Sequence, residues 1–357
     1  MVKNALLINP FGIGDVLFTT PIIHTLKDAY PGIRLGYLCN RRVHPILENN
    51  PHVDFVFVYE RDEFEAARKK SYLGWIKKSL AFLNQIKAKR FDLAIDFSLN
   101  SQYGFFSWYA GIKRRVGYDY KGRGWLLNKK IKLDGYNEKH IVEYYAGLLK
   151  LIGLELKYKN LELYLNQKDI DWANEFLAKN SVTAQDLLIA IIPGAGASWG
   201  KDATLKHWPA ENFSGLCDKI IENYRAKIII MGDFSEKPIA QKILQNIHCH
   251  IIDATAETTL GQFAALLKKT KLVVTNDGGP MHMAVALGIK TISIFGPVDS
   301  RVYGPYPPSE ESVVVKKGLD CQPCYRRFKM PLCVRNRECL ATLSVDEVYA
   351  QVRRLLG

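Results

Sequence analysis

Apolar and polar positions along the first half of the chain alternate between short apolar runs and helix-like spacing. Apolar runs at residues 4–9, 35–39, 55–58 and 93–96 predict buried strands. The longer stretches Val16–Tyr30, Trp75–Ala88 and His140–Leu151 have apolar residues at helical spacing and predict helices. Strands that alternate with helices in this way are typical of parallel βαβ units.

A second alternating series follows. Strands are predicted at residues 187–192, 227–231, 250–252, 272–275 and 291–295, and helices at residues 167–179, 210–224, 236–245, 260–269, 281–287 and 345–356. Asn166 and Ser344 precede two of these helices as candidate N-caps. The pattern predicts an α/β protein with two doubly wound parallel-sheet domains, over residues 1–170 and 171–340. Residues 341–357 form a C-terminal helix whose packing the pattern leaves open.

Composition fits this reading. A chain of 357 residues is long for one core, and 48% hydrophobic with 24% charged residues is ordinary globular composition. No stretch approaches the roughly 20 apolar residues of a membrane-spanning helix. Asn9 and Pro10 interrupt the first apolar run too early for a secretory signal, which predicts a cytoplasmic protein. A net charge of +13 attracts anionic partners such as phosphates, nucleic acid or an acidic membrane face.

Four polar or glycine-rich loops follow predicted strands, at residues 11–15, 193–196, 232–235 and 276–280. Ligands of open parallel sheets bind beyond the carboxyl ends of the strands, where such loops lie. The first loop contains Gly12 and Gly14 but lacks the third glycine of a dinucleotide fingerprint, which disfavours a dehydrogenase. Asp15 instead stands at the helix start. There it serves either as a helix cap or as an ionised proton acceptor.

The fourth loop joins Asp277 to Gly278, Gly279 and Pro280 at the start of a predicted helix. Proline fits the first helical turn because its missing N–H has no partner there. The two glycines allow close approach of backbone N–H groups to phosphate oxygens. A tight turn without a ligand is the alternative interpretation of the same residues.

Taken in order, these loops resemble glycosyltransferase family 9, the bacterial heptosyltransferases, over nearly the whole chain. The matching segments are Gly12–Pro21, Pro193–Ala195 with Lys206–Pro209, Asn276–Gly288, and Phe295–Pro297. The resemblance implies a GT-B fold of two Rossmann-like domains that face each other across a cleft. The N-terminal domain would bind the acceptor and the C-terminal domain the nucleotide diphosphate sugar.

The resemblance also implies roles for individual residues. Asp15 is similar to the family's general base, and Lys206 to the lysine that compensates charge on the departing diphosphate. Asp277, with the N–H groups of Gly278 and Gly279, is similar to the loop that holds diphosphate and donor sugar. Gly278 replaces the hydroxyl residue common there, so one side-chain hydrogen bond to phosphate is missing.

The resemblance implies further binding residues from their positions in the sequence. His282 either reaches the phosphate or fills the helix–sheet interface, with the second reading slightly favoured. The remaining expected residues are Gly232, Asp233 and Glu236 near the nucleoside, and Gly12, Gly14, Lys113, Arg114 and Arg115 on the acceptor side. The segments 62–72 and 98–108 are expected to be loops that select the acceptor.

The implied reaction is an inverting, metal-independent transfer with no cofactor beyond the nucleotide-sugar co-substrate. ADP-heptose is the family's best-known donor, and lipopolysaccharide core is its acceptor. A lipid-linked anionic acceptor suggests peripheral attachment to the inner face of the cytoplasmic membrane, through the basic segment 113–132. An epimerase of the same fold is the alternative. A nucleic-acid-binding protein is less favoured because the sequence contains no known DNA- or RNA-recognition motif.

Four cysteines lie within nineteen residues, at Cys321, Cys324, Cys333 and Cys339. The first pair has zinc-like or iron–sulfur-like spacing. The second pair is separated by five residues, which favours reduced thiols or redox-formed disulfides over a metal site. The sequence leaves open the donor sugar, the acceptor and the oligomeric state.

Overall fold

The computed structural model describes residues 2–247 and 249–357, except for the side chains of residues 197, 198 and 201. The chain forms two compact units. Unit 1 comprises Met1–Tyr136 and Ile141–Lys159, and unit 2 comprises Asn137–His140 and Asn160–Gly357. The main division lies at residue 159 rather than at the expected residue 170, because the helix over residues 167–179 packs on a helix of unit 2. Periodicity alone does not indicate which unit a helix joins.

Unit 1 is a sheet of six parallel strands in the order β3-β2-β1-β4-β5-β6, with helices between the strands. The strands are β1 (Asn4–Ile8), β2 (Arg34–Cys39), β3 (Phe55–Val58), β4 (Leu93–Asp96), β5 (Arg114–Tyr120) and β6 (Lys129–Leu133); the helices are α1 (Ile13–Leu17), α2 (Thr20–Ala29), α3 (His44–Glu48), α4 (Arg61–Lys70), α5 (Tyr72–Ala88), α6 (Ser101–Tyr109) and α7 (Ile141–Lys150).

The central strands β1 and β4 are completely buried, as expected for apolar runs covered on both faces. They pair in register with Ile8 opposite Asp96, so their carboxyl ends meet at one edge of the sheet. One face of the sheet packs against α4, α5 and α6 through a core that includes Phe64, Phe82 and Phe106. This arrangement places the loop after β1 at the edge where ligands of open sheets bind.

Several expectations for unit 1 were wrong. The helix predicted over residues 16–30 is two helices, because Pro21 starts α2 and the hydroxyls of Thr19 and Thr20 bond back to carbonyls of the preceding turn. The expected loops at residues 62–72 and 98–108 contain most of α4 and α6. Strands β5 and β6 were not predicted because lysine and arginine obscure their apolar alternation.

Unit 2 is a second sheet of six parallel strands, in the order β12-β11-β10-β7-β8-β9. The strands are β7 (Leu188–Ile192), β8 (Lys227–Ile230), β9 (Ile252–Asp253), β10 (Leu272–Asn276), β11 (Lys290–Ile294) and β12 (Ser312–Val315); the helices are α8 (Gln167–Lys179), α9 (Ala210–Tyr224), α10 (Lys237–Gln245), α11 (Leu260–Lys269), α12 (Gly279–Ala286), α13 (Ser300–Tyr303), α14 (Glu338–Ala341) and α15 (Val345–Leu356).

The C-terminal helix α15 belongs to unit 2. Val348 and Val352 are fully buried in the same core as Trp208, whose indole N–H donates to the carbonyl of Leu343 at 2.9 Å. Ser344 caps α15 by accepting the N–H of Glu347, and Asn166 caps α8 in the same way, which confirms both predicted caps. The C-terminal helix, whose packing the sequence left open, therefore packs in the core of unit 2.

Within the described ranges, every helix is too short or too polar to cross a lipid bilayer.

Candidate functional site

Asp15 lies at the carboxyl edge of unit 1, in the first turn of α1. Its Oδ2 accepts the N–H of Gly12 at 3.3 Å, and its Oδ1 accepts the hydroxyl of Tyr145 at 3.5 Å. Asn9 fixes the same turn by donating its side-chain amide to the carbonyl of Asp15 at 2.9 Å. The carboxylate therefore caps its own helix through one oxygen while the other faces a tyrosine, so the two sequence interpretations are not exclusive.

Buried tyrosines surround Asp15, and the sequence did not identify them. Burial raises the pKa of Tyr37, Tyr136 and Tyr145 well above the usual value, and the negative charge of Asp15 raises each of them further. These phenols therefore remain neutral hydrogen-bond donors. Tyr145 comes from α7, far along the chain from Asp15, so no local motif signals the contact.

Lys113, Arg114 and Arg115 do not lie beside Asp15. Arg114 pairs with Leu93 at the amino end of β4, whereas the Asp15 loop follows the carboxyl end of β1. A strand of four to five residues, about 13 to 17 Å long, separates the two edges. Arg115 is also engaged locally, since its side chain donates to the carbonyls of residues 112 and 126.

In unit 2 the loops after β7 and β10 are bound together at the carboxyl edge of the sheet. The Asn276 side chain donates to the carbonyl of Pro193 at 2.6 Å and accepts the N–H of Trp208 at 3.1 Å. A Cβ atom on Gly278 would lie 2.6 Å from the carbonyl oxygen of Ala195. Glycine at position 278 is therefore required by close packing of the two loops, without any need for an unusual φ.

Lys206 and Asp277 form a buried ion pair at the start of α12. The Nζ and Oδ2 atoms lie 2.7 Å apart, and the side chains are only 7% and 5% exposed. The ammonium also lies 4.1 Å from the centroid of the Trp199 ring, a favourable cation–π contact. Lys206 is therefore a buried residue rather than a solvated surface lysine.

Glu236 connects two other loops of the same edge. Its Oε1 accepts the N–H of Gly196 at 3.0 Å, and its Oε2 accepts the N–H of Asp233 at 2.9 Å. A Cβ on Gly194 would lie 1.6 Å from Oε1, so the carboxylate fills the space that this glycine leaves. Burial raises the pKa of Glu236, and the backbone donors oppose this shift.

Asp233 and His282 differ in their surroundings. Asp233 is exposed beside Gly232, and its Oδ1 accepts the N–H and hydroxyl of Ser235. His282 is buried in α12, and burial lowers its pKa well below the usual value, with smaller contributions from His140 and Lys206. That His282 fills the helix–sheet interface stays a prediction, with which a buried, neutral imidazole is compatible.

The four clustered cysteines are free thiols. Burial and, to a smaller extent, the neighbouring Cys321, Cys339 and Cys333 together raise the pKa of Cys324 to about 11. The Sγ of Cys333 accepts the N–H of Arg337 at 3.2 Å. The four thiols are thus close enough to influence one another, and the reduced, protonated state remains our expectation for them.

Two doubly wound parallel sheets, each with glycine-containing loops at its carboxyl edge, define the GT-B class of glycosyltransferase folds. Within that class, the profile of glycosyltransferase family 9 (heptosyltransferase) matches residues 79–334, and the chain belongs to this family. Lipopolysaccharide heptosyltransferase 3 of Escherichia coli K12 is 22% identical over 347 residues, which cover 96% of this chain and 95% of that protein. Lipopolysaccharide heptosyltransferase 2 of Salmonella typhimurium LT2 is 25% identical and covers 82% of each chain.

Solved structures show the same fold. A family 9 glycosyltransferase from Veillonella parvula superposes with a TM-score of 0.82 at 23% identity, and covers 99% of this chain and 97% of that one. The E. coli heptosyltransferase WaaC with ADP-2-deoxy-2-fluoro heptose superposes with a TM-score of 0.70 at 20% identity, with 99% of both chains covered.

Proposed function

We propose that this protein is an inverting glycosyltransferase that moves heptose from ADP-heptose onto a saccharide acceptor of the lipopolysaccharide core type. The observation that carries the proposal is the buried Lys206–Asp277 pair beside Gly278 and the start of α12. A helix N-terminus with free N–H groups favours an anion, and a desolvated ammonium beside it favours a diphosphate. The related WaaC structure with an ADP-heptose analogue supports this class of donor.

On the donor side, the N–H groups of Gly278 and Gly279 would bind the diphosphate, and Lys206 would compensate the charge that develops on it. Asp277 would then accept hydroxyl groups of the sugar. Asp233 is the better candidate for the ribose hydroxyls, because both carboxylate oxygens of Glu236 are already bound to backbone N–H groups. Glu236 holds the two loops in position instead.

On the acceptor side, Asp15 would accept the proton of the attacking hydroxyl. The new bond forms between that oxygen and the anomeric carbon, while the bond from this carbon to the diphosphate oxygen breaks and its electron pair leaves with the diphosphate. One displacement inverts the anomeric configuration. Tyr145 and the N–H of Gly12 keep the carboxylate oriented. No metal ion is needed for this step, because Lys206 and the helix N-terminus supply positive charge.

A lipid-linked acceptor would place the reaction at the cytoplasmic face of the membrane. Lys113, Arg114 and Arg115 lie at the opposite edge of the unit 1 sheet from Asp15. We therefore assign them to the positive surface of unit 1 rather than to contact with the reacting hydroxyl.

The test is a thermal-shift comparison of ADP-, UDP-, GDP- and dTDP-sugars, followed by a transfer assay with the donor that raises the melting temperature. A specific donor stabilises the protein by mass action. Asp15→Asn should keep the donor-induced shift and lose at least about a hundredfold in transfer rate, the usual loss for a general base. Equal transfer by Asp15→Asn, or a product with retained configuration, would overturn the proposal.

A further inference from the structure

The helices α4 and α5 form a hairpin whose tip is not packed into the core. No side chain from residue 65 to residue 81 is buried, although this stretch includes several large apolar residues. Tyr72 is 64% exposed and Leu73 is 79% exposed, and the Trp75 ring lies 5.3 Å from that of Tyr72. We call residues 66–81 the basic hairpin. Its apolar side chains are exposed to solvent, whereas those of a helix packed in the core would be buried.

The positive charge of the protein is concentrated in and after this hairpin. Residues 66–133 contain sixteen Lys and Arg against three Asp and no Glu, a net charge of +13 that equals the charge of the whole chain. The three aspartates are engaged within unit 1. Asp92 accepts the N–H groups of residues 3 and 4, Asp96 is buried, and Asp119 pairs with Lys130. The remainder of the sequence is neutral overall.

Exposed aromatic and aliphatic side chains interleaved with lysine and arginine are typical of elements that lie in the interface of an anionic bilayer. The helix α5 has this character. Its only charged residues within the basic hairpin are Lys77 and Lys78, and the whole helix contains no acidic residue. A second copy of the chain would bring two strongly positive surfaces together, which opposes self-association here.

We propose that the basic hairpin docks on an anionic lipid bilayer, with Tyr72, Leu73 and Trp75 in the headgroup region and the flanking lysines and arginines at lipid phosphates. This inference deepens the proposed function, on whose lipid-linked acceptor it rests. Helix α4 begins just after the carboxyl end of β3, the same edge of the unit 1 sheet as the Asp15 loop. Docking therefore brings the acceptor edge of unit 1 towards the lipid.

The experiment measures vesicle flotation of the full-length protein without any sugar donor. Wild type should bind vesicles that contain phosphatidylglycerol, should not bind vesicles of phosphatidylcholine alone, and should dissociate at high salt. The variant Lys69→Gln/Lys70→Gln/Lys77→Gln should lose about a hundredfold in partition coefficient, from about fivefold for each lysine. Tyr72→Ser/Leu73→Ser should also reduce binding.

Matched controls lie on unit 2. Lys168→Gln/Lys179→Gln/Lys271→Gln removes the same charge from exposed positions, and Leu332→Ser/Val334→Ser removes two apolar side chains that are each 90% exposed. Both controls should bind as wild type does. All the substituted hairpin side chains are exposed, so the variants should keep the wild-type melting temperature. If a variant does not fold, the dependence of wild-type vesicle binding on salt and on lipid charge tests the proposal instead.

Several outcomes would overturn the proposal. Equal binding to neutral and anionic vesicles, or equal losses in the hairpin and control variants, contradicts it. So does a hairpin variant that changes the oligomeric mass or loses single-stranded RNA binding while lipid binding stays intact. Because flotation needs no donor and no turnover, its failure leaves the thermal-shift and Asp15→Asn results as separate tests of the glycosyltransferase proposal.

Discussion

Replacing Lys206 by methionine removes one partner of an ion pair whose charged atoms lie 2.7 Å apart and whose side chains are almost fully buried. Methionine keeps the apolar stem and its contact with Trp199, so the lost interaction is mainly the charge. The carboxylate of Asp277 would then remain buried without its ammonium. Removing one partner of a buried pair costs about 3 to 5 kcal/mol, because an uncompensated charge is left behind.

For a unit of about 200 residues, this loss lowers the melting temperature by roughly 6 to 20 °C. Adding Asp277→Asn to Lys206→Met removes the stranded charge. The double variant should therefore be no less stable than either single variant, with a coupling energy of at least about 2 kcal/mol in a double-mutant cycle. Thermal and urea unfolding, followed by tryptophan fluorescence, measure all four proteins.

Lys227→Met in the same unit is the matched control. Lys227 pairs with Asp186 at 3.0 Å, but the two side chains are 34% and 25% exposed. Solvent screens such a pair, so the loss should stay below about 1 kcal/mol. A Lys206→Met loss as small as that of the control would refute the reasoning, as would strictly additive losses in the cycle.

Two further predictions concern buried groups. Burial raises the pKa of Asp96 from 3.8 to about 6, so the folded protein holds this proton more tightly than the unfolded chain, and the associated stability is lost as pH rises from about 4 to 6. Asp96→Asn should therefore gain stability relative to wild type as pH rises, to about 3 kcal/mol near pH 8, and a pH-independent difference in urea unfolding contradicts this. Gly278→Ala should cost about 1 to 3 kcal/mol in thermal unfolding, because its Cβ meets the carbonyl of Ala195 at 2.6 Å. Gly215→Ala in α9, whose Cβ would meet only Val345 at 3.5 Å, should be neutral or stabilising, and equal losses at the two glycines would contradict the packing argument.

The elements that periodicity predicted correctly are those whose burial is complete on one or both faces. The helices over residues 210–224, 260–269 and 345–356 have the predicted bounds, and each central strand lies within one or two residues of its apolar run. Burial imposes a regular apolar pattern on such elements. The helix α4 has one buried residue, Phe64, so its pattern contains almost no such signal.

The candidate site was predictable at the level of loops and not of contacts. Glycine-rich loops after strands necessarily meet at the carboxyl edge of a parallel sheet, so Asp277 and Gly278 could be placed there from the sequence. The burial of Lys206 depends on Trp199 and on a loop about seventy residues further along the chain. Glu236 was expected near the nucleoside together with Asp233, because the sequence does not show that Gly194 leaves space for the Glu236 carboxylate.

The two anion-binding surfaces proposed for this protein, the donor loops and the basic hairpin, differ in how their positive charge is arranged. Residues 134–357, which contain the proposed donor loops, have twenty-seven basic and twenty-five acidic residues and so are nearly neutral overall. In the proposed function, attraction of a nucleotide diphosphate there depends on one buried ammonium and a helix N-terminus, which act at short range and in a fixed geometry. The basic hairpin presents exposed charges instead, which suit a diffuse lipid surface. Most of the net charge of +13 therefore lies in unit 1, and the proposed donor site does not depend on it.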